Sequence, residues 1–138
     1  MVKVTPTTIT ELKENEVFVF GSNSKGLHFG GAAKCAFKQF GAKWGQGIGM
    51  QGQSYAIPTL SSPMTLGGGE KLDLTYIGER VSEFAEYAKA HKDLEFLVTP
   101  IGCGIAGFTE DEIAPLFKCC LDIENVSLPQ SFIDIIAK

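Results

Sequence analysis

Residues 17–40, VFVFGSNSKGLHFGGAAKCAFKQF, restrict the fold more than any other stretch of the chain. Val17, Phe18, Val19 and Phe20 predict a buried strand, because β-branched and aromatic side chains fill a pleated surface that is covered on both faces. Ala33, Ala36, Phe37 and Phe40 then fall at the i, i+3, i+4, i+7 spacing of one helix face. Between the two, Gly21, Gly26, Gly30 and Gly31 let the backbone take positive φ or approach a ligand closely. A strand that ends in such a loop and feeds a helix N-terminus gathers unpaired amide N–H groups and the positive end of the helix dipole at one spot. That arrangement holds phosphates. A tight βα turn also takes glycines for steric reasons alone, and both readings stand at this point.

The rest of the chain repeats the alternation. Residues 2–4 predict an edge strand, followed by a turn at Pro6 and a solvated turn over residues 10–15. Residues 43–53 hold four glycines and three glutamines and predict a loop. Within it, Trp44 and Met50 either flank a flat ring or pack the loop down, and Gln51 and Gln53 either meet a ligand or face solvent. Residues 54–58 predict a strand ending at Pro58. Residues 59–70 form a second glycine-bearing stretch, read either as a lid hinged at Gly67, Gly68 and Gly69 or as a plain connection.

From Asp73 a long helix is expected, with Ile77, Val81, Phe84, Ala85 and Ala88 as its apolar stripe and His91 near its end as a solvated cation. Residues 95–100 predict another buried strand, followed by a second glycine loop, 102–107. A helix comes next, opened by a Thr109/Glu112 capping box and lined by Ile113, Leu116, Phe117 and Cys120. A short strand over 125–128 and a short helix over 129–137 close the chain.

Strands alternating with helices predict an α/β architecture around a mixed, mainly parallel sheet, in which ligands sit at the carboxyl ends of strands. If the strands before the two glycine loops are neighbours, both loops border one crevice. That doubling favours the phosphate reading over the tight-turn reading.

Composition narrows the partner. The 138 residues are read as one domain, 1–138, with 44% hydrophobic and 20% charged content, as in ordinary globular proteins. The sequence has no apolar run of spanning length and no basic-then-apolar leader at Met1. A cytoplasmic location and no membrane partner are therefore expected. The net charge is −4 and Arg80 is the only arginine, which argues against a nucleic acid gripped by charge. A bound phosphate would then be held mainly by backbone amides. Cys35, Cys103, Cys119 and Cys120 form no CxxC pair, and with His28 and His91 they make no zinc pattern. No metal and no cofactor are expected, and the thiols are read as small buried hydrophobes.

The wording of the two loops resembles a known family. GSN followed by FGGAA at a helix start is similar to the first ligand loop of macrodomains. TPIGCGIAGFTEDEIAPLF resembles their second loop, and its Ile-Gly-Cys-Gly wording is closest to the branch containing the human terminal ADP-ribose glycohydrolase. SYAIPT matches the strand between these loops, and the resemblance runs in order from about residue 17 to residue 128. The whole is closest to compact bacterial and phage-type macrodomain-like proteins.

The resemblance implies a three-layer α/β/α sandwich that binds ADP-ribose or a related nucleotide diphosphate. By that resemblance Gly21, Ser22 and Asn23 belong to the first loop, with Asn23 on the distal ribose and Gly30, Gly31 and Ala32 giving amides to the diphosphate. Gly102, Cys103, Gly104, Ile105, Ala106 and Gly107 would wrap its other side, with Phe108 near the distal ribose. Three departures bear on chemistry. The nearest candidates for the family's adenine-holding acid, Glu14 and Glu16, do not sit in Gly-Asp-Ile wording. Ala106 stands where the glycohydrolase branch has a catalytic Asp, and residues 57–59 carry no Lys nucleophile.

Candidate catalytic residues are therefore few. His28, in the first loop, has the chemistry of a general base, and a packed loop histidine is the alternative. Asn23 is the other candidate. Cys103 sits before a helix N-terminus that would lower its thiol pKa, with a structural or backbone-contact role as the alternative. The functions in play are a nucleotide binder, an ADP-ribosyl hydrolase acting on modified protein or nucleic acid, a non-catalytic interaction module of phage or mobile-element type, and another glycine-loop carrier of nucleotides or cofactors.

Overall fold

The computed structural model describes residues 3–62, 69–104 and 106–137. Six strands, β1 (Lys3–Val4), β2 (Glu16–Asn23), β3 (Gly49–Gln51), β4 (Ser54–Leu60), β5 (Glu95–Val98) and β6 (Val126–Leu128), form one sheet in the order β1-β6-β5-β2-β4-β3. The pairings among these six strands are parallel except that of β3, which lies antiparallel against β4, and Leu60 also makes an isolated antiparallel bridge to Lys71. The helices are α1 (Gly31–Gln39), α2 (Leu74–Ala90), α3 (Glu110–Ile113) and α4 (Gln130–Ile136), with a 3-10 helix over Ala114–Cys120.

The alternation along β2 distributes its side chains to two cores, as the two-residue period of a strand requires. Val17 and Val19 join a large core with α2, the 3-10 helix and α4, whose Phe84, Phe96, Phe117 and Phe132 are completely buried. Full burial of each such phenylalanine contributes about 2–3 kcal/mol. Phe18 and Phe20 join a smaller core on the other face with Ala33, Ala36 and Phe40. The sheet is thus covered by helices on both faces, as an α/β sandwich is. No described helix is long and apolar enough to cross a membrane.

Several sequence expectations need correction. Phe37, assigned to the buried stripe of α1, is 41% exposed, and only Ala33 and Ala36 within the helix are buried. Residues 43–53 are not all loop, since Gly49–Gln51 pairs with Ser54–Ala56 as an edge strand. β4 does not stop at Pro58. It runs to Leu60, because Pro58 lies beyond the segment paired to β3 and just before a register shift opposite Ser22 and Asn23, where a missing N–H costs little.

The helix after the second glycine loop is a single α-turn that tightens into the 3-10 helix. Pro115 removes the N–H that a continuing α-helix would use there. Ile113, Phe117 and Cys120 still face the core. Only Cys120 of the four thiols is fully buried, and Cys119 is exposed. Of the proposed glycine hinge, Gly67 and Gly68 lie outside the described residues.

Candidate functional site

β2 and β5 are neighbours in the sheet, paired from Glu16–Glu95 to Val19–Val98. Their following loops therefore leave from adjacent carboxyl ends. An added Gly21 Cβ would stand 3.3 Å from the Gly102 amide nitrogen and from the Ile101 side chain, so a side chain there would crowd the facing turn. Around this approach lies a cleft of about 260 Å3. Of the residues singled out from the sequence, Gly21, Ser22, Asn23, Gly30, Gly31, Ala32, Gly102, Gly104 and Ala106 line it.

The donors of the first loop come from the start of α1. Its N-cap, Gly30, has extended backbone and no side chain to cap the helix, and the first turn holds no acidic residue. The amides of Gly31, Ala32 and Ala33 therefore have no intrahelical acceptor, and the positive end of the dipole is uncompensated by local charge. All three residues line the cleft.

The second loop differs. The Thr109 hydroxyl accepts from the Glu112 amide at 3.2 Å, and Glu112 accepts in return from the Thr109 amide at 2.9 Å. Glu110, Asp111 and Glu112 all occupy that first turn, so the end of α3 is already capped and carries negative charge. What the second loop offers is its own main chain, at Gly102 and Gly104.

The polar side chains at the end of β2 are spent on holding the loops. The Ser22 hydroxyl donates to the Gly47 carbonyl. Asn23 clamps the backbone of Leu27 from both sides, its Nδ2 donating to the carbonyl at 2.9 Å and its Oδ1 accepting from the amide at 3.1 Å. Asn23 thus shapes the loop, while one Nδ2 hydrogen remains uncommitted by these bonds. The Thr59 and Thr99 hydroxyls donate to the Ser22 and Val19 carbonyls at 3.3 and 2.8 Å.

Other candidates stand elsewhere. His28 does not line the cleft. It is 1% exposed, meets Phe20, Phe37 and Trp44 edge-on or tilted, and its Nε2 lies 2.8 Å from the Lys43 carbonyl. Nε2 therefore donates, and Nδ1 is buried without a partner. The imidazole acts as a packed support beneath the loop rather than a base at its mouth.

Cys103, Gly107 and Phe108 also fall outside the described lining, and Ile105 lies outside the described residues. Burial, reinforced by Glu110 and Glu112, pushes the Cys103 thiol up to about 11, the opposite of the lowering expected beside a helix N-terminus. Phe108 is buried, with the Lys71 ammonium 5.1 Å from its ring centre, and Lys71 also donates to the Gly107 carbonyl at 3.0 Å. Glu16 accepts from the Lys13 amide at the opposite end of β2. Glu16 therefore stands at the other end of the strand from the cleft.

The sequence reading missed Leu27, Phe29, Ala33, Thr59, Leu60, Thr99, Pro100 and Ile101 as lining residues. Thr59, Leu60, Thr99 and Pro100 were reachable from the rule that ligands sit at carboxyl ends of strands. Phe29 was reachable only by counting back from the first turn of α1. None of the described lining residues carries a carboxylate, imidazole, amine or thiol. Among the described residues no cluster of His, Cys, Asp or Glu is placed to hold a metal ion. No family model, curated protein or solved structure matches this chain.

Proposed function

We propose that the cleft binds the diphosphate of ADP-ribose or a related nucleotide, in the manner of a macrodomain-like module that recognises its ligand without transforming it. The observation that carries this reading is the convergence of two sets of main-chain donors on one hollow. The uncapped first turn of α1 at Gly31–Ala33 faces it from one side and the turn at Gly102–Gly104 from the other. Glycine and alanine at these places keep the backbone within reach of an anion, and the apolar Leu27, Phe29, Leu60 and Ile101 line part of the remainder.

Hydrolysis of an ADP-ribosyl linkage needs a group that moves a proton or attacks carbon. Among the described lining residues the groups of that kind are the Ser22, Thr59 and Thr99 hydroxyls, and all three donate to backbone carbonyls. Ala106 is buried at the cleft where a carboxylate would serve, and His28 is turned into a packed aromatic cluster. Recognition alone is therefore the better supported activity. Isothermal calorimetry with ADP-ribose tests it, and saturable heat with one site is expected. Neither heat nor a thermal shift at millimolar ADP-ribose would remove the proposal. Release of ADP-ribose from a labelled ADP-ribosylated protein, persisting in His28→Ala and Asn23→Ala, would show a hydrolase built from other groups.

A further inference from the structure

The net charge of −4 conceals a segregation. Residues 17–69 contain Lys25, Lys34, Lys38 and Lys43 and no acidic residue, while all sixteen Asp and Glu residues lie outside that stretch. All four lysines are exposed. Among the described residues the large exposed hydrophobic ones show the same bias, since Phe29, Phe37, Trp44 and Ile48 lie in this stretch and only Val4 lies elsewhere.

Three of these residues meet on one surface, and the four lysines neighbour them along the chain or on the same helix. The Trp44 ring meets Phe29 at 4.9 Å and Phe37 at 5.3 Å between centres, both nearly edge-on, so the three aromatics make a continuous cluster. Each remains more than 40% exposed: Phe29 46%, Phe37 41% and Trp44 46%. Lys34 and Lys38 stand one helical turn apart on α1, and Phe37 shares their face. Lys43 precedes Trp44. Lys25 precedes Gly26, whose carbonyl accepts from the Gly45 amide at 2.8 Å just after Trp44. His28 packs against two of the rings, its own centre 6.2 Å from those of Phe37 and Trp44.

We propose that this face is a docking surface for single-stranded nucleic acid. Bases stack on Phe29, Phe37 and Trp44, and the four lysines meet the backbone phosphates. Exposed rings interleaved with cations are what a flexible polyanion with flat faces requires, since every base has a face to stack and every step a phosphate to pair. Charge complementarity also argues against a protein occupant, whether another protein or a second copy of this chain. Lysine is depleted where proteins meet proteins. A symmetric contact with a second copy would set these lysines against themselves, with no acidic residue in the stretch to answer them. Phe29 belongs to both surfaces, which places the strand beside the mouth of the cleft. The inference does not rest on the nucleotide-binding reading of that cleft.

Trp44 is the only tryptophan, so its fluorescence reports directly on the face. Titration with oligothymidylate of about twelve nucleotides should quench it, with saturation in the micromolar range at low salt. Log affinity should fall against log salt with a slope of about −0.7 for each phosphate engaged. Followed by anisotropy of a labelled oligonucleotide, the double variant Lys34→Glu/Lys38→Glu and the single variants Phe37→Ala and Trp44→Ala should each weaken binding by about tenfold or more. Lys92→Glu, remote in sequence and on another helix end, should leave it unchanged.

No quenching at about 100 µM oligonucleotide and low salt would overturn the proposal, as would binding indifferent to Lys34→Glu/Lys38→Glu. So would a concentration-dependent dimer, seen by sedimentation and dissolved by Trp44→Ala, since the face would then be covered by a second copy. The oligonucleotide carries no ADP-ribose and free ADP-ribose offers no strand, so this proposal and that for the cleft fail separately.

Discussion

The Gly102 amide nitrogen lies 3.3 Å from where a Cβ on Gly21 would stand, and through this approach the end of β2 and the turn after β5 act as one structure. A bulky residue at Gly21 would push against the main chain and Ile101. Gly31 has φ of 60°, a conformation that side chains resist. Neither position separates loss of ligand from loss of fold. Gly104 does, because a Cβ there would meet nothing within 4 Å while the residue lines the cleft. Gly104→Leu should leave stability within about 0.5 kcal/mol of the parent by urea unfolding. It should lower ADP-ribose affinity at least about tenfold by calorimetry, the factor that 1.4 kcal/mol of lost interaction carries. Unchanged affinity would mean that the ligand does not occupy this hollow.

The cysteines should divide by environment. Burial and two nearby carboxylates push the Cys103 thiol up to about 11. Cys119 is lowered, first by the neighbouring Cys120 thiol and further by the Lys89 ammonium, and Cys120 is pushed up in turn. Since the thiolate is the reactive form, iodoacetamide at neutral pH should modify Cys119 first and Cys103 slowly. Peptide mass spectrometry over time reads the order. Fast labelling of Cys103 in the folded protein would contradict its burial and restore it as a candidate nucleophile.

Alkaline stability should follow Tyr55. Burial first, and the Glu83 carboxylate second, push its phenol up to about 12 from an ordinary value of 10.0. The unfolded chain thus loses that proton at lower pH than the folded one. The stabilising contribution is complete below pH 10 and is lost as pH rises toward 12. Tyr55→Phe should be close to neutral at pH 7 and should flatten the fall of melting temperature across that window. An unchanged slope would mean that another group governs it.

What was legible in the sequence follows from where the physics is local. The strand over Val17–Phe20, the α2 stripe and the Thr109/Glu112 box each declare themselves within one or two turns of chain, and the structure contains all three. The adjacency of β2 and β5 is not local. It entered as a condition, and the sheet order satisfies it.

The outcomes at the misread Phe37 and at the two positions left open, Cys103 and His28, have physical causes as well. Phe37 fits the helix period, yet the smaller core ends at Phe40 and Ala42, and Phe37 is left to meet Trp44 on the surface. Cys103 sits next to a helix start, yet that start is already capped and acidic. His28 has the right chemistry in the right loop, and its packing against Phe20 sends it away from the cleft. In each case a tertiary neighbour decided what residue type alone left open.

The claim beneath this account is that main-chain amides from two loops share one anion. Titrating 15N-labelled protein with ADP-ribose and following the amide resonances tests it most directly. The account predicts that the largest shifts fall together, along one saturating curve, on Gly31, Ala32, Ala33, Gly102 and Gly104. Saturable shifts confined to residues away from both loops, or no shifts at millimolar ligand, would contradict it.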